Sequence, residues 1–210
     1  MYCNDCTLER LPPDAPLPMD LLLLADETTD AIAAYVHDCE VWVVRQQQTM
    51  VAVACVLKVD ADCVELKNLA VATALQGQGV GSGLLGALKR HYAATYAQML
   101  VGTADVGQAQ QRFYQRHGFV RVGTRERFFI THYPEPIIEN GQQLVDMHVF
   151  ACNLHAEDKQ AACKPCCVVY RPLCMGWSSV WLFAGGHAVV GFRCRGGFRF
   201  AGFIGGDVVA

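Results

Sequence analysis

The chain has 210 residues, 52% of them hydrophobic, and a formal net charge of −3. That is enough apolar material for one medium domain with an appendage. The charge divides unevenly: residues 1–151 carry 11 Lys+Arg against 17 Asp+Glu, and residues 152–210 carry 6 against 3. An acidic body argues against a nucleic-acid partner and favours a cationic or amine substrate. The N-terminus does not read as a secretory leader, because Leu21 to Leu24 is short for an apolar core and follows acidic residues. Of eleven cysteines, six lie in the tail; Cys3, Cys6, Cys39, Cys55 and Cys63 have no framework spacing beyond Cys3-x-x-Cys6. A reduced, cytoplasmic chain is the expectation.

In chain order, Cys6 to Leu11 reads as a short strand stopped by Pro12-Pro13, and Met19–Ala25 and Thr29–His37 read as helices. Glu40–Gln46 and Thr49–Lys58 are β-rich runs joined by a glutamine turn, hence a hairpin. Asp62–Val71 is the next strand. Val64 and Leu66 are apolar on one alternation, Leu69 and Val71 on the other. A β-bulge near Lys67-Asn68 produces such a slip, and so does a strand buried on both faces. Val80, Leu84, Leu88 and Tyr92, widened by Leu85, mark a helix. Met99–Thr103 is a strand, Gln108–His117 a helix closed by Gly118, and Phe119–Gly123, Arg127–Thr131 and Gln142–Cys152 are later strands.

Between the strand ending at Val71 and the helix beginning near Val80 lies Gln76-Gly77-Gln78-Gly79-Val80-Gly81. A glycine-rich turn in that position leaves backbone N–H groups unpaired at the positive end of a helix, a setting for a phosphate or diphosphate. A nucleotide-triphosphate loop needs a Gly-Lys pair that is missing here. Gly81-Ser82-Gly83-Leu84-Leu85-Gly86 matches the dinucleotide fingerprint, with Asp105 some distance on, but its glycines lie on the helix rather than at the strand's end.

The loop resembles the coenzyme A loop of the GNAT acetyltransferases, Q/R-x-x-G-x-G/A after a strand ending in Leu-Ala-Val. Gln76, Gly79 and Gly81 stand at the pattern positions and Leu69-Ala70-Val71 at the strand end. Phe113-Tyr114-Gln115-Arg116-His117-Gly118-Phe119 resembles the family's late Tyr-x-x-x-Gly-Phe motif. Phe128-Phe129, His132-Tyr133, Ile137, Glu139-Asn140-Gly141 and Asp146-Met147 resemble a bacterial-type subgroup with a C-terminal Glu-Asn-Gly…Asp-Met segment. The resemblance covers roughly residues 6 to 151. It implies an α/β fold: a mixed, mostly antiparallel sheet flanked by helices, with a bulged strand before the coenzyme loop.

It also implies a function: an N-acetyltransferase carrying acetyl from acetyl-CoA directly to a primary amine on a small molecule or a protein, with no metal and no nucleic acid. The alternative is a non-catalytic acyl-CoA-binding or sensing module. A homodimer is compatible with either. In the resemblance, Gln76, Gly77, Gln78, Gly79, Val80, Gly81 and Ser82 bind the diphosphate through main-chain N–H groups. Leu69, Ala70 and Val71 pair with the pantetheine amides, and the N–H near Val71 faces the carbonyl oxygen. Tyr114 is the candidate general acid toward the thiolate; as bare chemistry it is equally an aromatic packed beside Phe113. Glu65 is the candidate base, and equally a partner of Lys67 or a group that positions the amine. Asp105 falls where related sequences often have Asn beside the coenzyme, and an ionised Asp has no side-chain N–H to donate. His132 to Gly141, with Tyr133, Glu135 and Glu139, is a candidate wall of the acceptor pocket or an ordinary surface loop.

The expected division is 1–151 as the acetyltransferase domain and 152–210 as a Cys/Gly-rich, poorly structured extension. Leu173 to Phe192 lacks Asp, Glu, Lys and Arg, yet its glycines, serines and His187 make it a poor membrane span. Cys163-x-x-Cys166 is at most half a zinc site.

Overall fold

The computed structural model describes residues 6–155 and, of the tail, the backbone of strands at 179–184, 187–194 and 197–199. The chain divides into two compact units, Met1–Ala161 and Ala162–Ala210.

The first unit begins with β1 (Cys6–Arg10), α1 (Met19–Leu22) and α2 (Thr29–Val36). Thr28 caps α2, its hydroxyl accepting from the Ala31 N–H at 3.1 Å. Then come β2 (Cys39–Gln46), β3 (Thr49–Lys58) and β4 (Cys63–Val71), a 3-10 turn at Thr73–Leu75, α3 (Val80–Tyr92), β5 (Gln98–Ala104) and α4 (Gln108–Arg116). The unit closes with β6 (Val120–Arg125), α5 (Phe128–His132), β7 (Ile138–Glu139), β8 (Gln142–Gln143) and β9 (Met147–Asn153). The second unit contains β10 (Ser179–Ala184), β11 (His187–Cys194) and β12 (Gly197–Arg199), an antiparallel three-stranded sheet. The Cys163-x-x-Cys166 pair lies outside the described residues, as do residues 173–178 and 185–186 of the stretch weighed as a membrane span. Among the described residues no helix is long and apolar enough to cross a membrane.

Seven strands form one sheet in the order β1-β2-β3-β4-β5-β9-β6, and only the β4–β5 pair is parallel. This is the expected mixed, mostly antiparallel sheet with flanking helices. One face packs on α3 and α4 through Val64, Leu66, Leu84, Leu85, Leu88, Val101, Tyr114, Phe119 and Phe150. The other packs on α1 and α2 through Leu22, Ile32, Val36, Val43, Val53 and Ala70.

The phase slip in β4 is a bulge. Cys55 pairs with Asn68 and Val56 with Leu66, leaving Lys67 as the extra residue. Because of that one residue, Leu69 and Val71 pack on the same cluster as Val64 and Leu66. Asn68 turns the other way, its Nδ2 donating to the Leu22 carbonyl and to Tyr35 Oη, both at 3.1 Å.

Two elements differ from the sequence reading. Arg127–Thr131 is not a strand: Phe128–His132 is a single helical turn. It starts because Arg127 is left-handed (φ 53°) and gives its N–H to Asp146 Oδ1 at 2.7 Å. Phe129 and Tyr133 then stack at 5.8 Å, a one-turn spacing that a strand would not provide. The β-rich composition misled because the two aromatics pack on helical neighbours. Gln142–Cys152 is not one strand either. Asn140 and Gly141, both at positive φ, close a two-residue hairpin between β7 and β8, and the sheet strand starts afresh at Met147.

Candidate functional site

β4 and β5 are paired only from Cys63–Gln98 to Leu66–Val101. Past the bulge β4 stays with β3, while β5 stays with β9 through Ala104. The two central strands therefore part, and among the described residues the second half of β4 has an edge without a strand partner. Alternation tells which groups line it. The Ala72 N–H donates to Val51 O at 2.8 Å, so Ala70 and Asn68 also turn their amides toward β3. The N–H and C=O of Leu69 and Val71 turn to the open side.

The loop begins where this edge ends. Gln76 Nε2 donates to the Val71 carbonyl at 3.0 Å, and Gln78 Nε2 to the Ala74 carbonyl at 2.9 Å. Both glutamines thus fold back on the segment before them. Gly77 and Gly79 take φ of 73° and 83°, and Gly79 is the N-cap of α3. Left-handed residues alternating with ordinary ones turn successive N–H groups to one side, forming a nest for an anion. No atom of the described residues lies within 4 Å of where a Cβ would sit on Gly77 or Gly79, so glycine serves conformation there. At Gly81 it serves approach: a Cβ would stand 3.4 Å from Val71 Cγ2, 3.8 Å from Phe113 Cζ and 3.9 Å from Leu69 Cδ2. Its absence brings the helix start close to the strand end. The first N–H groups of α3 have no intrahelical acceptor and point toward the loop. An open nest of amides beside an unpaired strand edge fits a diphosphate joined to an extended, amide-bearing arm.

Tyr114 lies on α4 with 8% exposure, its ring against Phe113 (5.2 Å) and Phe119 (5.5 Å). Burial pushes its phenol well above the ordinary tyrosine range, so it stays protonated at neutral pH. Glu65 is on the opposite face, since it alternates with Val64 and Leu66 of the Tyr114 cluster. Its Oε1 takes Arg125 Nη2 at 2.8 Å and Lys67 Nζ at 3.5 Å. Arg125 reaches it from the far edge of the sheet, passing Met147, whose Sδ is 3.4 Å from Nη1. Lys67 also lies over the Tyr35 ring, 5.7 Å from its centroid.

Asp105 is tied up by its own loop: its Oδ1 accepts from the Val106 N–H at 3.1 Å, and its N–H donates to Asp146 O at 3.0 Å. In the His132–Gly141 segment, Tyr133 Oη donates to Asp26 Oδ1 at 2.9 Å, joining that loop to the one between α1 and α2. Cys39 and Cys63 are pushed up to about 12, chiefly by burial, so neither thiol is a nucleophile at neutral pH. Sequence reasoning missed Arg125, Tyr35, Asn68 and Asp26. Arg125 is sixty residues from Glu65, and no local period links them.

The chain is similar to known proteins in sequence and in fold. The sequence model described as "Acetyltransferase (GNAT) domain" matches residues 37–121. The Bacillus subtilis (strain 168) protein described as uncharacterized N-acetyltransferase YvbK is 34% identical over 129 residues, 61% of this chain and 83% of that protein. A GNAT family acetyltransferase from Elizabethkingia anophelis, solved with acetyl-CoA bound, superposes with a TM-score of 0.69 at 31% identity, covering 72% of this chain and 99% of its own. A Bacillus subtilis acetyltransferase in complex with CoA gives 0.64 at 30% identity, covering 70% and 98%. The chain belongs to the GNAT acetyltransferases and is an acyltransferase. Relatives that hold acetyl-CoA and CoA support acetyl-CoA as its co-substrate.

Proposed function

We propose that this acetyltransferase acts on a primary amine by direct transfer from acetyl-CoA. The observation that carries the reading is the parting of β4 from β5 at the Lys67 bulge, directly upstream of the Gln76–Ser82 nest. Gln76, Gly77, Gln78, Gly79, Val80, Gly81 and Ser82 hold the diphosphate through main-chain N–H groups. The free edge of β4, where Leu69 and Val71 turn main-chain groups outward and Ala70 between them bonds to β3, pairs with the amides of the pantetheine arm. Acetyl-CoA supplies a thioester carbonyl activated for attack.

The Val71 N–H sits on that edge and donates to the carbonyl oxygen as charge gathers there. A primary amine is neutral only about one time in a thousand at pH 7, given a lysine-like pKa of about 10.4; it must lose a proton to attack. Both cations meet Glu65 on Oε1, which leaves Oε2 to receive the amine and take that proton, directly or through water. Tyr114, protonated and on the opposite face, gives its proton to the departing sulfur. Acid and base thus approach the reacting bond from two sides of the sheet.

The remaining expectations are part of the same reading: an acetyltransferase domain at 1–151 with a Cys/Gly-rich, poorly structured extension at 152–210, the bacterial-type subgroup with the Glu-Asn-Gly…Asp-Met segment, and a cytoplasmic location. The subgroup is supported by the Asn140-Gly141 turn and by Asp146, which fixes the start of α5. The test is calorimetric titration of the full chain with CoA, followed by CoA-thiol release over an amine library. Binding with amine-dependent release supports the reading; binding without release for every amine would sink it.

A further inference from the structure

The charges beside the β4–β5 parting are arranged as an alternating pair, and a substrate carrying both signs complements them. We infer that the acceptor is a free α-amino acid, its ammonium at Glu65 Oε2 and its carboxylate at Lys67 and the Arg125 guanidinium. The inference rests on the amine-transfer reading above and adds the substrate class.

The first ground is the sharing of one oxygen. Arg125 Nη2 holds Glu65 Oε1 at 2.8 Å, and Lys67 Nζ reaches the same atom only at 3.5 Å. The side chains are 13%, 16% and 8% exposed for Arg125, Lys67 and Glu65. An ammonium has three N–H donors, and Lys67 spends them on this one long contact and on the face of Tyr35. A cation so nearly withdrawn from water is stabilised by a further anion.

The second ground is position. Lys67 is the bulge residue, so the irregularity that separates β4 from β5 also aims this ammonium. On β5 the first residue past the last pair is Gly102, where a Cβ would collide with the Met147 side chain. The missing side chain lets Met147 lie across β5, next to Arg125 Nη1. The cationic pair therefore borders the mouth of the parting on the face that Glu65 occupies.

The third ground is discrimination. A diamine or polyamine would set its second ammonium against Lys67 and Arg125, a like-charge juxtaposition that disfavours it. The acidic surplus of the whole body favours amines in general. The local pair selects among them.

The test uses the full chain and CoA-thiol release with free L-amino acids, each matched by its carboxamide and its decarboxylated amine, with spermidine as a polycation. At least one free amino acid should exceed its own amide in kcat/KM by about 100-fold, since a site built around a polar group rejects the analogue lacking it. Lys67→Gln should raise KM for that amino acid about tenfold with a smaller change in kcat, on the scale of a lost charge contact. It should shrink the acid-to-amide ratio and keep CoA affinity, while Lys67→Arg restores most of the ratio. Amides, simple amines or spermidine turned over as well as the acids overturn the inference and leave amine transfer standing. No release with any amine overturns both. Should Lys67→Gln not fold, the matched substrates on the unaltered chain decide alone.

Discussion

Gln76 Nε2 donates to the Val71 carbonyl at 3.0 Å, tying the first residue of the loop motif to the last residue of the strand before it. The contact occupies a carbonyl that would otherwise face the open edge and fixes the path from β4 into the nest. The pattern glutamine thus supports the loop with its side chain while its neighbours offer main-chain donors. Gln76→Ala should cost about 1 kcal/mol of stability and weaken CoA binding about fivefold, which is ~1 kcal/mol. Thermal melts and calorimetry check the two effects separately.

Gly79 needs its left-handed φ of 83°, with free space around it. Gly79→Ala should therefore destabilise through the backbone alone, by about 1–2 kcal/mol, and lower CoA affinity by misaligning the nest. Gly81→Ala meets only ordinary van der Waals distances, whereas Gly81→Leu must push α3 away from Val71 and Phe113. Among the three variants, CoA affinity should fall least for Gly81→Ala. Equal affinities for all three would count against the loop as the binding element.

Tyr114→Phe removes a hydroxyl and leaves the ring packing on Phe113 and Phe119. Turnover should fall about 100-fold, the scale of a lost general acid, with CoA affinity kept. Burial raises this phenol, so an acid limb due to Tyr114 should not decline until pH exceeds the ordinary tyrosine pKa of about 10. Unchanged turnover would end the assignment.

Glu65→Gln leaves two nearly buried cations without their carboxylate. Removing one partner of a buried pair costs about 3 kcal/mol or more, so the melting temperature should drop markedly along with turnover. A variant as stable as the parent would show that the Arg125 contact contributes little.

Away from the site, Trp42 Nε1 donates to Tyr92 Oη at 2.9 Å, and Tyr92 Oη donates to Glu40 Oε2 at 2.6 Å. Partial burial works to raise the Glu40 carboxyl, but hydrogen bonds from Tyr92 and Lys58 and the charges of Lys58 and Arg10 outweigh it and hold it low. A carboxyl lowered on folding adds stability that is present above its unfolded pKa of about 4.3 and lost as pH falls through the folded value. Urea titrations from pH 7 downward should show Glu40→Gln less stable than the parent at neutral pH. The gap should begin to narrow below the unfolded pKa and close as pH falls through the lower folded value.

The sequence by itself determined what depends on neighbours along the chain. The glycine positions, the strand end before them, the helical stripe after them and the β4 phase slip are local patterns, set by sterics and side-chain period. Tertiary structure alone decided what depends on distant segments meeting. Arg125 finds Glu65 because β6 pairs with β9 and β9 with β5, an order that no spacing encodes. Phe128 to His132 coils into a helical turn because Asp146 takes the Arg127 N–H, overriding a β-prone composition. Local preferences differ by little per residue, so a contact between remote residues can outweigh them.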